Sequence, residues 1–410
     1  MMSYPPQRER KILSMAELNE HYDVVIVGGA MMGSSTAWWL SREPGFDGSV
    51  LVVERDPSYE HSSTSATNSC VRQQFSNEVN IRISQFTAEF IRTFPSWFDN
   101  ADVPEIATNY FGYLYLAADP AFARVLETNQ QVQASWGAAT RILDRDELAA
   151  SFPFYNLDDI VSGSHNPVDE GYFDGGTMFD TFRTHARRNG VTYHRATVTG
   201  IDRRDGRVVG VTLDSGASVS CGTVVNAAGP RAARVARMAG LELPIEPRKR
   251  FSFVFRAAEP LDQPLPLTID PSGVHVRSDG DAYLAGCGPD IDHAVEPDDL
   301  TMDADLWESK VWPVLAHRIP AFERIKVMSR WAGHYAYNTL DQNAVVGPHP
   351  EVDGFVFMNG FSGHGLQQAA AMGRGVAEWI SYGAFRSIDL TPLGVERVIA
   401  GRPFTEAAVI

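Results

Sequence analysis

The stretch "YDVVIVGGAMMGSSTAWWLSR" leaves little choice of fold. A short Val/Ile run ends in glycines, a helix-like segment follows, and "GSVLVVERD" supplies a second apolar run; strand, helix and strand at this spacing make a parallel βαβ unit. Gly28-Gly29-Ala30-Met31-Met32-Gly33 stands between strand and helix as a G-x-G-x-x-G dinucleotide fingerprint does, with Ala30 in place of the middle glycine. Gly28 serves the tight turn, Ala30 and Met32 lie where a pyrophosphate approaches the helix N-terminus, and Gly33 lets the helix pack on the strand. Ala30 adds one methyl at the closest approach, tolerable while its φ stays negative. Glu54, 54 minus 33 or 21 residues after Gly33, ends the second strand, where a carboxylate accepts hydrogen bonds from an adenosine ribose; Arg55 follows it.

The rest of the chain points to two sheets. From Val198 to Pro230, apolar and polar residues alternate between turns at Asp205-Gly206 and Ser215-Gly216, a β-meander that runs into the buried segment "TVVNAAG". Between about Pro244 and Arg330, "FSFVF", "GVHVRS" and "AYLAG" suggest a second, mostly antiparallel sheet, and "GFVFMNG" returns to the first type of strand. The expected fold is therefore α/β, α+β overall: a Rossmann-like nucleotide domain from residues 20–100, 162–240 and 330–395, and a substrate domain from 101–161 and 241–329. Residues 1–19 read as a loose leader without the apolar run of a secretory signal.

Composition narrows the function. Among 410 residues, 35 Lys+Arg stand against 51 Asp+Glu, a net charge of -16, so nucleic acid is not an expected partner. No apolar run reaches the roughly 20 residues of a membrane helix. Three cysteines, Cys70, Cys221 and Cys287, are widely spaced; they suggest neither a disulfide framework nor a metal site, and they fit a reducing, cytoplasmic location. The basic run Arg248-Lys249-Arg250 reads as a solvated surface in preference to a funnel for acids.

NAD and FAD both use a βαβ unit of this kind, and segments further along decide between them. "HSSTSATNSCVRQQFS", "VVNAAGP", "NTLDQNAVVGPHP" and "GFSGHGLQQAAAMGRGVAEWI", with the N-terminal fingerprint, resemble the D-amino-acid oxidase-like superfamily of FAD-dependent oxidoreductases over nearly the whole chain. That superfamily includes sarcosine and glycine oxidases and dimethylglycine dehydrogenase. "RQQFS", "YNTLDQNAVVGPHP" and "GFSGHGLQQ" look closest to the FAD-dependent oxidoreductase domain-containing protein 1 group. The resemblance implies FAD, bound without a covalent link because Ala66 and His334 occupy the places of flavin-attaching residues.

It also implies a site. Ser63, Thr64, Ser69 and Cys70 fall where relatives wrap the pyrophosphate and flavin edge; Val198 falls where they contact adenine, and Ala228 and Gly229 where a strand end lies against the nucleotide. Gly363, His364, Gly365, Leu366 and Gln367 match the turn that meets the flavin ring. The helix after that turn has Leu366, Ala369, Ala370, Gly373, Val376, Ala377 and Ile380 on one face. Arg72 matches an arginine that holds a substrate carboxylate, with a surface or flavin-edge salt bridge as its alternative. Catalytic candidates are Arg72, His364, Tyr337 and Gln367; His275, His334 and Tyr335 are further pocket candidates. Gln367 replaces a carboxylate-binding Lys, and "DAYLAGCG" lacks the oxygen-activating Lys of the oxidases. His364, if protonated, is a possible substitute cation. The implied reaction is oxidation of a C–N bond in a secondary or tertiary amino acid, with a quinone, an electron-transfer protein or oxygen as acceptor. The alternatives are a low-turnover flavoprotein of respiratory complex assembly and a 2-hydroxy-acid dehydrogenase.

Overall fold

A computed structural model describes residues 18–98 and 102–407. The leader expected over residues 1–19 lies outside the described residues apart from Leu18 and Asn19. Strands His21–Val27 and Val50–Glu54 pair in parallel, with helix Met31–Leu40 between them. Their sheet runs Val198–Arg204, Arg207–Leu213, Ser218–Asn226, His21–Val27, Val50–Glu54, Thr192–Arg195, and Phe355–Asn359 pairs in parallel with the last residues of Ser218–Asn226, beyond those paired with Arg207–Leu213. The meander is present: its first two strands are antiparallel, and Asp205 (φ 50) and Gly206 (φ 79) make the two-residue hairpin turn. Ser218–Asn226 then turns parallel partner to His21–Val27.

Both faces of this sheet are covered, which is why its strands are nearly continuous in Val, Ile and Leu. Val24, Ile26, Val50 and Val52 pack beneath helices Met31–Leu40, Glu78–Arg92 and Gly365–Tyr382, while Val25, Val27, Leu51 and Val53 face a second core with Val235 and Phe355. Trp38, 1% exposed, stacks on Phe98 with ring centres 4.5 Å apart. Helix Gly365–Tyr382 is more buried than its one-face periodicity suggests. Gln367, Gln368, Ala371, Met372, Gly375 and Glu378 are buried with the expected apolar positions, because Met31–Leu40 and Glu78–Arg92 pack against it on different sides.

The second sheet is ordered Ile325–Asn338, Ile245–Ala257, Ala282–Cys287, His275–Asp279, Leu267–Ile269, Tyr113–Ala117, Ser162–Asn166, Arg141–Asp144. All its pairs are antiparallel except Leu267–Ile269 with Tyr113–Ala117. The hydrogen bonding places two expected boundaries differently. Ser162–Asn166 pairs with Tyr113–Ala117, and Ile325–Asn338 pairs along its length with Ile245–Ala257, so residues 162–166 and 330–338 belong to the second sheet. Among the described residues no helix is long and apolar enough to cross a membrane.

Gly33 shows how tightly the first unit closes: a Cβ there would stand 1.9 Å from the carbonyl oxygen of Gly28. Gly33→Ala is expected to destabilise the protein by about 1–3 kcal/mol through overpacking. Gly222→Ala, whose Cβ would meet Asp23 O at an ordinary 3.6 Å, is the control. Equal denaturation midpoints for the two variants would refute this reading of the turn.

Candidate active site

The strand ends of both sheets open onto one cavity of 620 Å³. Ligands of open α/β sheets bind outside the carboxyl ends of the strands, and Val27, Glu54 and Ala227–Ala228 lie there. Gly28 has φ +99, and a Cβ on it would come within 2.6 Å of Ala227 O, so this turn takes only glycine without rearrangement. Ala30 has φ -70, which accommodates its methyl. Ala30 and Met32 line the cavity; Gly33 does not, its place being the contact beneath the turn.

Glu54 is fixed by two backbone donors: Gly29 N–H reaches its Oε2 at 2.8 Å and Asp56 N–H its Oε1 at 2.7 Å. Burial pushes the carboxyl up, and those two donors oppose the shift. Each oxygen keeps a further lone pair for a ribose hydroxyl. Val198, Ala228 and Gly229 line the same end. Arg55 lines it too and is bound to Asp298 at 3.0 Å; Arg231 shares that carboxylate, closing one wall.

The Ser-rich segment joins the two halves. Thr64 Oγ1 accepts the N–H of Met31 at 3.2 Å, Ser63 Oγ donates to His334 O at 2.7 Å, and Trp331 Nε1 donates to Ala66 O at 3.1 Å. Ser63, Thr64, Ser69 and Cys70 all face the cavity. Cys70 is a free thiol, pushed up by burial. Asn68 Nδ2 donates to His275 Nε2 at 2.8 Å, so that nitrogen is the acceptor of a neutral ring; burial holds His275 down to about 4.

At the far end, Gly363, His364, Gly365, Leu366 and Gln367 all line the cavity. Gly363 has φ +95, and a Cβ there would lie 2.4 Å from the Tyr335 ring. Arg72 is 1% exposed. Its Nη1 donates to Gln74 O and its Nη2 to His364 Nε2 at 2.9 Å, its N–H binds Gln367 Oε1 at 2.8 Å, and its guanidinium lies 4.1 Å from the Phe75 ring centre. His364 Nε2 is thus an acceptor. Burial and the Arg72 charge hold His364 well below its usual range, so it is a neutral ring and not the substitute cation considered from sequence.

Among the described residues no carboxylate forms an ion pair with Arg72. The nearest acidic network stands behind it. Buried Glu170 accepts from Gln74 Nε2 and Asn166 Nδ2 at 2.9 Å each, and burial pushes it up to about 7.

Tyr337 does not line the cavity. It lies two residues along the strand from Tyr335, beyond the cavity's end, with Arg248 4.1 Å over its ring. Tyr335, His275 and His334 do line it. The run Arg248-Lys249-Arg250 is not solvated: their side chains are 14–18% exposed and each is paired with an acid, and Arg250 faces the cavity. Tyr113, Phe251 and Leu267 complete the apolar wall, which the sequence pattern did not single out.

The FAD dependent oxidoreductase family matches residues 23–379. The chain belongs to this family. FAD is its cofactor, and the cavity fits it: a glycine turn at a helix start, an acid at the strand end beside it, and a second glycine turn at the opposite end of one continuous space. Non-covalent attachment fits as well, since Ala66 offers no nucleophile and His334 Nε2 is engaged by Asp299 O at 2.8 Å. The flavoprotein is 38% identical over 426 residues to FAD-dependent oxidoreductase domain-containing protein 1 of Xenopus laevis, covering 95% of this chain and 85% of that one. Mitochondrial sarcosine dehydrogenase of Mus musculus is 24% identical over 375 residues, 88% of this chain and 40% of its own length. The crystal structure of L-proline dehydrogenase from P. horikoshii superposes with a TM-score of 0.81 at 25% identity, over 94% of this chain and all of that chain.

The buried histidines make stability depend on pH. His165 and His275 are held at about 4, against 6.5 for a free ring, and His364 is held well below that ordinary value. The unfolded chain therefore gains protons first, and each histidine's contribution, present above pH 6.5, is lost as pH falls toward its folded value. Glu170, raised from 4.5 to about 7, works the other way, contributing below 4.5 and losing that contribution as pH rises through 7. Three groups outweigh one, His165 and His275 each being worth about 3 kcal/mol at the limit. The unfolding midpoint is expected to drop as pH is lowered from 6.5 to 4, and His165→Gln to flatten part of the slope; a flat profile would contradict the neutral assignment.

Proposed function

We propose that the protein oxidises the C–N bond of a secondary or tertiary amino acid, removing hydride from the carbon next to nitrogen and leaving an iminium product that water hydrolyses. When bound, FAD supplies the two-electron acceptor for that hydride at its N5. The observation that carries the proposal is Arg72: a fully buried guanidinium on the cavity wall, bonded to the residue after Gly363, with no carboxylate paired to it among the described residues. A buried cation without a counter-charge is costly, and a substrate carboxylate supplies that charge. Arg72 spends two of its five side-chain donors on Gln74 O and His364 Nε2, which fixes its plane and leaves others for the ligand.

The same field suits the amine. A cation disfavours a neighbouring ammonium, so Arg72 shifts the substrate nitrogen toward the neutral form whose lone pair drives hydride departure. His364, itself neutral and tied through Nε2, adds no opposing charge. The wall of Tyr113, Phe251 and Leu267 excludes water from the reacting carbon. We propose a quinone or an electron-transfer protein as acceptor in preference to oxygen. No lysine lies in Ala282–Cys287, and His364 is uncharged. The three free cysteines support a cytoplasmic location.

The test is anaerobic mixing of the holoenzyme with N-methyl amino acids, imino acids, primary amino acids and 2-hydroxy acids, followed by reoxidation with oxygen or a quinone. Flavin bleaching by the N-substituted acids and faster reoxidation by the quinone are expected. Bleaching by hydroxy acids alone would replace the proposed reaction. Arg72→Ala is expected to raise KM about ten- to a hundred-fold, the worth of a charge-assisted hydrogen bond of roughly 1.5–3 kcal/mol. FAD content should change little; a colourless variant would assign Arg72 to the cofactor.

A further inference from the structure

Arg72 is not the only cation on the cavity wall. Arg250, on the long strand Ile245–Ala257, faces the same space. Its Nη1 and Nη2 hold the two oxygens of Asp292 at 3.0 and 2.9 Å, the parallel two-pronged geometry by which a guanidinium grips a carboxylate. Its guanidinium lies 4.6 Å from the ring centre of Tyr335, the ring that Gly363 approaches so closely. Gly363 in turn precedes His364, to which Arg72 Nη2 is bonded at 2.9 Å, so a short run of contacts, Arg250–Tyr335–Gly363–His364–Arg72, joins the two arginines along the wall.

The partners differ in how firmly they are held. Arg250 is paired with Gly333 within the long ladder to Ile325–Asn338, and at the next residue, Phe251, Ala282–Cys287 joins the strand on its other side. Asp292 belongs to an irregular segment between Cys287 and Trp307, next to Ile291, which is 77% exposed. Asp292 also has a second cation within reach, Arg248 Nη1 at 3.5 Å, so leaving Arg250 does not strand its charge. The flanking pairs Lys249–Asp299 and Arg231–Asp298 hold the same segment independently of Asp292.

We propose that Arg250 is a second carboxylate site, that Asp292 occupies it as a built-in stand-in for a ligand, and that the preferred substrate is an N-substituted amino acid with an acidic side chain. This rests on the amine-oxidation reading given above. One carboxylate binds Arg72 and the other displaces Asp292 from Arg250, while Asp292 keeps Arg248. Arg250 is then a specificity-determining residue.

The proposal separates from a merely structural ion pair by the opposite signs of two variants. The probes are N-methylglutamate, its monoacid analogue N-methylnorvaline, and glutarate, which cannot be oxidised at a C–N bond. In the holoenzyme, glutarate is expected to perturb the flavin absorption spectrum saturably. Arg250→Met should weaken glutarate at least ten-fold and lower the kcat/KM ratio of N-methylglutamate to N-methylnorvaline by at least ten-fold. Asp292→Asn, which removes the internal competitor, should tighten glutarate and raise that ratio several-fold. Should Asp292→Asn leave both unchanged or lower them, with FAD still bound, the pair is a clasp and the proposal falls. Bleaching by N-methylnorvaline with no preference for the diacid in the wild type also overturns it and leaves amine oxidation standing. Glutarate binding with the expected signs, but no bleaching by either amino acid, upholds the second site and removes the amine-oxidation reading.

Discussion

A buried guanidinium with no acidic partner among the described residues governs the architecture of this cavity. Arg72 touches both halves of the protein: its backbone N–H is held by Gln367 on the last long helix, its side chain by Gln74 O, His364 and the face of Phe75, and its guanidinium lies 5.7 Å from the ring centre of Tyr115 on the second sheet. The acid of the network among the described residues, Glu170, is separated from it by Gln73 and Gln74, whose groups occupy the carboxylate. Taking a carboxylate any closer would satisfy Arg72 internally and close the site to an anion. Standing one layer back, Glu170 holds the segment that carries Arg72 without neutralising the charge at the wall.

The second constraint is how closely two backbones approach the same space. Gly28 and Gly363 both adopt positive φ at positions where a Cβ would collide, with Ala227 O in one case and the Tyr335 ring in the other. One turn lies at the end of the parallel sheet, and the other meets the edge strand of the antiparallel sheet. The Ser-rich segment spans the two through Thr64 and Ser63. The nucleotide end and the reacting end are therefore set at a fixed separation by short side chains, with little rotamer freedom to lose on binding.

Legibility in the sequence followed how local each feature is. The βαβ unit, Glu54 and the meander could be read because their determinants lie within a few tens of residues and their periodicities are those of the elements themselves. The turn at 363–367 could be read only through family resemblance, since a glycine-rich turn does not say what it faces. Tyr337 lies two residues from Tyr335 on the same strand yet only Tyr335 is among the cavity-lining residues, a difference that strand position alone does not give. Arg250 looked like surface for a different reason: its partner Asp292 lies 42 residues away on a segment with no pattern of its own. A basic triplet gives no sign of the acids that cover it. The last helix looked one-sided because Gln367, Gln368 and Glu378 are polar, yet each is buried by a specific bond, Gln367 to Arg72, Gln368 to Asn80 and Glu378 to Arg374.

Charge placement inside an acidic protein gives these details one physical sense. With a net charge of -16, the exterior repels small anions at long range, although salt screens that field beyond about 8 Å. Inside the cavity Arg72 faces the space with no carboxylate paired to it among the described residues, Arg250 faces it paired to Asp292, and His275 and His364 stay neutral. Had either histidine been charged, the pocket would hold a cation whose strength varied across physiological pH. Burial prevents that, so the field at the reacting end is fixed by guanidinium groups that do not titrate. A fixed positive field favours carboxylates and disfavours ammonium through the same charges, so the two demands of the proposed amine oxidation reduce to one electrostatic property of the wall.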